Sequence, residues 1–348
     1  MMRRFLAILA LALFVPTACC LVDEDLSGCP DEYAIDYEMR LITNVQTEIN
    51  TVIGLEADLF VANALREHLK DIFSDYAHDV DLSFYDYYEP RPVLQHFTDI
   101  INANQTSYTL HLPVHEYMHL AVANIADNHL VDLDDEQMCG TSRLRQEAPP
   151  ANNVIASHNT GLFTARLPMK ILEGVDQNFL VQLYMAYCAT ALVIDKSDAP
   201  VFDGLSAFTT GFADSFSIAD STYTFNTNPL VRAERLKVEE GDLDCYVTVQ
   251  FPSREPEEPE SKVVIETTDP FIAPSADEAL WEWQGYVTMP DGSITQTRLG
   301  LIRPLRAGQL KIIRAHIGPD GSIIPDDYTV ATSVQLNWND AGTHIIDL

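Results

Sequence analysis

Apolar and polar residues alternate with a period of two along most of the chain after position 32. In the segment 35–41, odd positions carry Ile, Tyr, Met and Leu, and even positions carry Asp, Glu and Arg. Successive side chains of a β-strand point to opposite faces, so this alternation predicts strands with one buried face. The same pattern recurs at 80–84, 108–112 and 163–167.

One segment, residues 55–73, interrupts this alternation. It is rich in Ala, Leu and Glu, and Leu65, Leu69 and the pair Ile72–Phe73 recur at helical spacing. The pattern predicts one short helix near 56–74, packed on a sheet or spanning a strand connection.

The second half of the chain begins with a predicted junction at 172–178, where turn-forming residues cluster. The apolar run Phe179–Ile194 that follows predicts one central strand of a second sandwich. Further strands are predicted at 246–251, 263–266, 281–289, 310–317 and 329–338.

Turn signals separate these strands. Met289–Ser293 and Gly318–Ser322 each contain Pro-Asp-Gly-Ser and predict hairpin turns, whereas 252–261 is acidic and proline-rich and predicts an exposed loop. Short, spaced strands with such turns are typical of β-sandwiches. The pattern therefore predicts an all-β protein with one sandwich at 33–175 and another at 176–348.

The N-terminus has the pattern of a bacterial lipoprotein. Residues 1–18 combine Arg3 and Arg4 with an apolar run too short to span a bilayer, and this is typical of a signal peptide. Thr17 and Ala18 are small residues placed directly before Cys19, as in a lipobox. We therefore predict lipidation of Cys19, followed by an acidic tether at 19–32.

Two alternatives to this N-terminal prediction stay open. Lipidation at Cys20 would leave Cys19 in the small position before it. An ordinary secretory signal would make these cysteines incidental.

Composition narrows the classes of function. The chain has 348 residues, 47% hydrophobic residues and a formal net charge of -31. Loss of residues 1–18 removes Arg3 and Arg4 but no acid, which makes the charge -33. Such a chain repels phosphate backbones, so nucleic acid is not an expected partner.

The cysteine pattern predicts no zinc ribbon, because the six cysteines form no CxxC pair. Cys188 and Cys245 lie in apolar strand-like runs and are predicted to be buried thiols. The disulfide state of Cys29 and Cys139 stays open.

One motif resembles an enzyme site: His115-Glu116-Tyr117-Met118-His119 matches HExxH, in which two histidines on a helix share a zinc ion. The flanks are strand-like, however, and on a strand the two histidines lie about 13 Å apart. A zinc ion with bonds of about 2 Å cannot bridge them. We predict half-exposed strand histidines without metal, cofactor or catalysis. The spacing alone would also allow Glu136 to serve as a third zinc ligand, so a zinc enzyme of the zincin class stays an alternative.

Other chemical signals are weak. The pairs Asp79/Asp81 and Asp242/Asp244 lack the rest of a calcium loop and are interpreted as solvated charge. Aromatic residues cluster at 84–88 and 281–283. They would serve a glycan-binding surface, but strand cores use such residues more often.

Several segments, taken in order, resemble a known family. They are the opening Asp25–Pro30, the strand Val80–Asp86, the segment Tyr108–Asn124 with its "LP-x-x-x-Y" and "x-A-N" patterns, Thr160–Phe163, and Leu183–Ile194. In this order they resemble the fimbrillin-associated anchor proteins, which are lipoproteins that hold fimbriae on the outer membrane of Gram-negative bacteria. The likeness covers nearly the whole mature chain.

The resemblance implies two transthyretin-like β-sandwich domains in tandem and no catalysis. It implies a protein on the outer membrane at the base of a fimbria, with a fimbrial shaft subunit as partner and a role in limiting shaft length. In related shaft subunits a neighbour's strand fills a groove in the sandwich. The family motifs do not mark interface residues.

Three alternatives to an anchor remain. A surface glycan-binding lipoprotein would show exposed, coplanar aromatic rings, and a zincin would need the HExxH segment on a helix. A fimbrial shaft subunit would be cut by a trypsin-like protease near the end of its first strand, where this chain has Arg40.

Overall fold

A computed structural model describes residues 32–41, 44–73, 77, 79–88, 94–97, 107–126, 128–134, 143–146, 153–239, 241–256, 279–326, 331–338 and 342–347. Several predicted features lie outside these residues: the signal peptide, nearly all of the tether, the strand at 263–266, half of the acidic loop at 252–261, and the residues Cys19, Cys20, Cys29, Glu136 and Cys139.

The first half of the described chain contains strands and two helices. They are β1 (Glu32–Leu41), α1 (Asn44–Glu56), α2 (Leu59–Leu69), β2 (Val80–Asp86), β3 (Gln95–Phe97), β4 (Ser107–Pro113), β5 (Glu116–Ala123), β6 (Val131–Asp134), β7 (Arg143–Gln146), β8 (Val154–Ala156), β9 (Phe163–Lys170) and β10 (Asn178–Met185).

The second half of the described chain contains strands alone. They are β11 (Cys188–Asp195), β12 (Gly204–Thr210), β13 (Ser215–Ser217), β14 (Thr222–Thr224), β15 (Leu230–Arg232), β16 (Glu234–Leu236), β17 (Leu243–Gln250), β18 (Trp281–Thr288), β19 (Ile294–Leu301), β20 (Leu310–Ile317), β21 (Ile323–Pro325), β22 (Ala331–Trp338) and β23 (Gly342–Asp347). The expected all-β class is confirmed.

The first sandwich is a single seven-stranded sheet that folds over on itself. Its strand order is β3-β2-β5-β9-β10-β1-β4. Tyr37 of β1 hydrogen-bonds to His119 of β5, although two strands stand between them in the sheet. Strands lie about 4.8 Å apart, so a flat sheet would separate these two strands by roughly 14 Å. The sheet must therefore turn at β10, which pairs with β9 only through Tyr184 and Met185.

Two helices follow β1, where the sequence predicts one. The predicted helix near 56–74 corresponds to α2, whose buried residues Val61, Ala62, Leu65 and Leu69 follow helical spacing. The preceding helix, α1, was not predicted, because it contains several β-branched residues and Gly54, which favour helices weakly. It packs against β20 of the second half, and that tertiary contact outweighs the weak propensity.

The second sandwich encloses its core between two sheets. One has the order β16-β17-β11-β20-β21, and the other has the order β23-β22-β19-β18-β12-β15-β8. Trp281 and Trp283 of β18 fill this core, together with Leu192 and Ile194 of β11. The predicted hairpin turns at Met289–Ser293 and Gly318–Ser322 are both present between neighbouring strands.

The two halves share a core. Strand β11 is buried on both faces: Leu192 and Ile194 belong to the second core, whereas Ala191 and Val193 belong to the cluster that fills the first sandwich. Strand β8 of the first half also pairs with β15 of the second, and β7 pairs with β13. The halves are thus interlocked rather than joined by a single link.

The change from the first sheet to the second falls between Met185 and Cys188, and the domain boundary at 175/176 stays a prediction. The apolar run Phe179–Ile194 is also two strands instead of one. Strand β10 alternates buried and exposed residues and pairs with β1 and β9, whereas β11 is buried on both faces. The exposed Gln182 interrupts the apolar run within β10.

A core deletion in the first sandwich tests this shared packing. All three tryptophans lie in the second half, so tryptophan fluorescence reports that half alone. Leu82 of β2 is fully buried in the first core, and Leu82→Ala should cost about 2–5 kcal/mol. We expect the urea midpoint followed by tryptophan fluorescence to fall.

The matched control is Leu55→Ala, because Leu55 is 81% exposed. It should leave the midpoint within about 0.5 kcal/mol of the wild type. If the halves unfold independently, the fluorescence midpoint of Leu82→Ala will equal that of the wild type. Only the circular dichroism signal will then be lost at a lower urea concentration.

Candidate functional site

The first strand, β1, is the centre of the candidate site, because it directly follows the predicted tether. Residues Glu32–Glu38 pair with β4 in antiparallel register, and residues Asp36–Leu41 pair with β10 in parallel register. Ile35 and Tyr37 point into the core with 1% exposure each. The chain therefore passes from the tether into the interior of the first sandwich within a few residues.

Tyr37 binds the opposite layer of the folded sheet through His119. The Tyr37 hydroxyl lies 2.6 Å from His119 Nε2, and His119 Nδ1 lies 3.1 Å from the carbonyl oxygen of Ser83. A carbonyl only accepts, so Nδ1 carries the proton and Nε2 accepts the Tyr37 O–H. The Phe84 ring stacks on the imidazole at 4.3 Å between centroids. These contacts fix one tautomer and one orientation of the histidine.

Burial keeps both partners of this bond neutral. It lowers the pKa of His119 to about 4 and raises that of Tyr37 far above its usual value. The bond is thus a neutral structural link between the two layers and has no ionised group to offer to a reaction.

The strand context expected for the HExxH segment is confirmed. Strand β5 begins at Glu116, so the helical spacing of a zinc site is not present. His115 is partly exposed and pairs with Asp86 at 2.7 Å. His119 differs from the half-exposed position expected, because it is fully buried. That this segment binds no zinc stays a prediction, which elemental analysis of chelator-free protein would test.

Two other candidate ligands, Asp79 and Asp244, are engaged by groups in the described part of the chain. Asp79 accepts a hydrogen bond from the Ala126 backbone amide. Asp244, interpreted as solvated charge, is instead buried and paired with Arg235 at 2.7 Å and Lys196 at 3.0 Å. Among the described residues, no three His, Cys, Asp or Glu side chains converge on a metal-sized site.

The predicted buried thiols are confirmed. Cys188 and Cys245 are free and fully buried. Burial raises the pKa of the Cys245 thiol to about 12 and also raises that of Cys188, so neither forms the reactive thiolate at neutral pH.

The aromatic clusters do not form the flat platform that a glycan site would use. Trp281 and Trp283 are core residues with 2% and 0% exposure. Tyr87 and Tyr88 are exposed, but their rings meet edge to face at 83°. The Tyr88 hydroxyl donates to Glu116, which also accepts from Lys170.

Two of the family-like motifs meet in space. Asn124, the end of the "x-A-N" pattern, has a left-handed φ of 65° and donates from Nδ2 to the carbonyl oxygen of Gly161 at 2.9 Å. A Cβ at Gly161 would lie 2.0 Å from the carbonyl oxygen of Ile72, so only glycine fits there. The motifs therefore mark a backbone junction between β5, β9 and the segment after α2.

Sequence reasoning missed His158, which lies at the junction of the two halves. It is buried, its ring stacks on Tyr187 at 4.4 Å between centroids, and its backbone amide donates to Val249. Neither ring nitrogen has a partner among the described residues. Burial lowers the pKa of His158 to about 3. No sequence pattern distinguishes this histidine, because its environment comes from strands distant in the chain.

In comparisons with solved structures, the fold matches two chains from Bacteroides ovatus, each described as a "putative adhesin". One is 10% identical, with 86% of this chain and 94% of that chain covered and a TM-score of 0.52. The other is 9% identical, with 90% and 96% covered and a TM-score of 0.51. This likeness shows that the chain shares their fold.

The structural neighbours also include the fimbrial anchor protein Mfa2 from Porphyromonas gingivalis. It is 14% identical, with 88% of this chain and 98% of that chain covered and a TM-score of 0.49. No protein-family model and no curated protein matches the chain. Neither described helix is long and apolar enough to cross a bilayer.

Removal of the Tyr37 hydroxyl should destabilise the fold. Tyr37→Phe keeps the ring but leaves His119 Nε2 buried without a donor, which costs about 1–3 kcal/mol. Tyr184→Phe is the matched control, because Tyr184 is 52% exposed and lies on the outer face of β10. Urea unfolding measures both changes.

A double-mutant cycle identifies the cause. The double variant Tyr37→Phe/His119→Leu should lose less stability than the sum of the two single variants, because the unpaired nitrogen is gone. Additive losses would mean that the hydrogen bond does not couple the two layers.

Acid should destabilise the protein through its buried histidines. His119 and His158 have folded-state pKa values below the unfolded value of about 6.5. The unfolded state therefore takes up their protons first, and stability falls as pH falls from about 6.5 towards the folded-state values.

His158→Phe removes one of these contributions. Between about pH 6 and pH 5, the variant should lose about 1 kcal/mol less stability than the wild type. Urea unfolding at the two pH values measures the difference. Equal losses in both proteins would show that His158 is not held neutral in the folded state.

Proposed function

We propose that this protein is a non-catalytic outer-membrane lipoprotein that attaches fimbriae to the cell surface and limits shaft length. Its partners are then a fimbrial shaft subunit and, through lipid at Cys19, the membrane. The ordered sequence resemblance to fimbrial anchor proteins supports the class, and the shared adhesin fold is compatible with it.

The observation that carries the proposal is the position of β1. This strand lies directly after the predicted tether and contributes Ile35 and Tyr37 to the core. A lipid on the N-terminal segment is thereby joined covalently to a strand that cannot leave without opening the sandwich. An anchor requires this continuity between membrane and fold.

Shaft subunits, as the resemblance implies, are cut near the end of this strand. Arg40 occupies the corresponding place in β1, where it pairs with Gln182 of β10. Proteases cut extended segments that have left the native structure, so cleavage here needs local unfolding of β1. The pairing is compatible with retention of the strand, as an anchor requires.

The geometry of the HExxH segment supports a binding function rather than catalysis. His119 is neutral, and both of its nitrogens are used inside the fold. Glu116 lies at the surface, where Lys170 and Tyr88 hydrogen-bond to it. This arrangement places no activated nucleophile or base beside a free ligand position.

Deletion of the gene tests the proposed function. We expect fimbriae to be shed into the medium, or to change in length, while subunit synthesis continues. Complementation with Cys19→Ala should leave the protein outside the membrane fraction and fimbriae unattached, because the lipid is its proposed membrane anchor.

Complementation with Cys20→Ala is the matched control and should restore attachment. Rescue by Cys19→Ala but not by Cys20→Ala would move the lipid to Cys20. Normal, attached fimbriae after deletion would contradict the proposal, and a simultaneous loss of growth on one glycan would favour the glycan-binding alternative.

A further inference from the structure

We propose that β1 and β10 form a mechanical clamp, which loads in shear when the N-terminal segment is pulled away from the second sandwich. The biological meaning of the clamp rests on the proposed anchoring function. The clamp itself is a property of the fold and is measurable on purified protein.

The direction of the two strands carries this inference. Strands β1 and β10 are parallel, with Asp36 opposite Asn178 and Leu41 opposite Leu183. Tension from the tether enters β1 at its N-terminal end. Tension from the second sandwich enters β10 at its C-terminal end, because Met185 leads through two residues into β11. The two parallel strands are thus pulled from opposite ends.

When β1 and β10 are pulled from opposite ends, all the hydrogen bonds between them are loaded at the same time. In a parallel ladder the bonds are evenly spaced along the strands. A force along the strand direction divides among them, and the pair separates only when the whole set fails. A force applied to both strands at the same end would open the bonds one after another.

Core contacts resist sliding of β1 in addition to the ladder. Tyr37 is hydrogen-bonded to His119 on the opposite layer of the folded sheet, and Ile35 is buried in the same core. Sliding by one residue would turn these apolar side chains to the outside, because successive strand residues point to opposite faces. The first half of β1 is also paired with β4.

Strand β11, into which β10 leads, is also fixed by its neighbours. Strand β11 lies between β17 and β20, pairs with both along its length, and is buried on both faces. The link from β10 is fixed by the Ala186 backbone amide, which donates to Leu162 at 2.8 Å. Force therefore passes from the clamp into a strand of the second sandwich that is buried on both faces.

Single-molecule pulling in two directions tests the clamp. One handle is attached to the N-terminal segment ahead of Glu32 in both experiments. In the shear geometry the second handle is placed at Val201, beyond β11, and in the control geometry at Val175, just before β10. Both valines are exposed, by 79% and 50%, so the handles leave the core intact.

We expect a several-fold higher rupture force with the handle at Val201 than with the handle at Val175. Equal forces, or a first event that releases chain from the second sandwich while β1 stays bound, would overturn the proposal. This outcome is independent of whether the protein binds fimbriae, because no partner is present in the measurement.

Discussion

The first sandwich closes because β10 pairs with two different strands. It runs beside β1 from Asn178 to Leu183, and then meets β9 only at Tyr184 and Met185. This change of neighbour turns one continuous sheet into two facing layers, with Tyr37 and His119 meeting across the core. The same strand leads directly into β11, so the closure of the first sandwich and the position of the second are fixed together.

The functional account follows from this arrangement. An anchor must transmit force from a membrane to a partner, and a fold of two loosely linked domains would extend under that force. Here the halves share a core through Ala191 and Val193 of β11, and the first half supplies β7 and β8 to the sheets of the second. The strand that follows the predicted tether is itself part of the first core, so the proposed lipid attachment and the folded body are mechanically continuous.

The sequence predicts much of the strand content because alternation of side chains directly reports one-sided burial. It places β1, β2, β4, β9 and β20 well, and the two Pro-Asp-Gly-Ser turns. The motifs that contain Asn124 and Gly161 prove to be in contact, which the sequence does not predict. Long-range packing lies beyond such patterns. The helix α1 depends on contact with β20, and the burial of His119 and His158 depends on strands far away in the chain. The pattern does not separate β10 from β11, because together they form one apolar run.

The most direct test of the anchor hypothesis is the intact mass and N-terminal sequence of the cell-associated protein, isolated with its fimbriae. The hypothesis predicts a chain that begins at Cys19, carries lipid, and retains β1 with Ile35 and Tyr37 in place. A mature chain that begins after Arg40 and lacks lipid would contradict it, because the link between membrane and fold would then be cut.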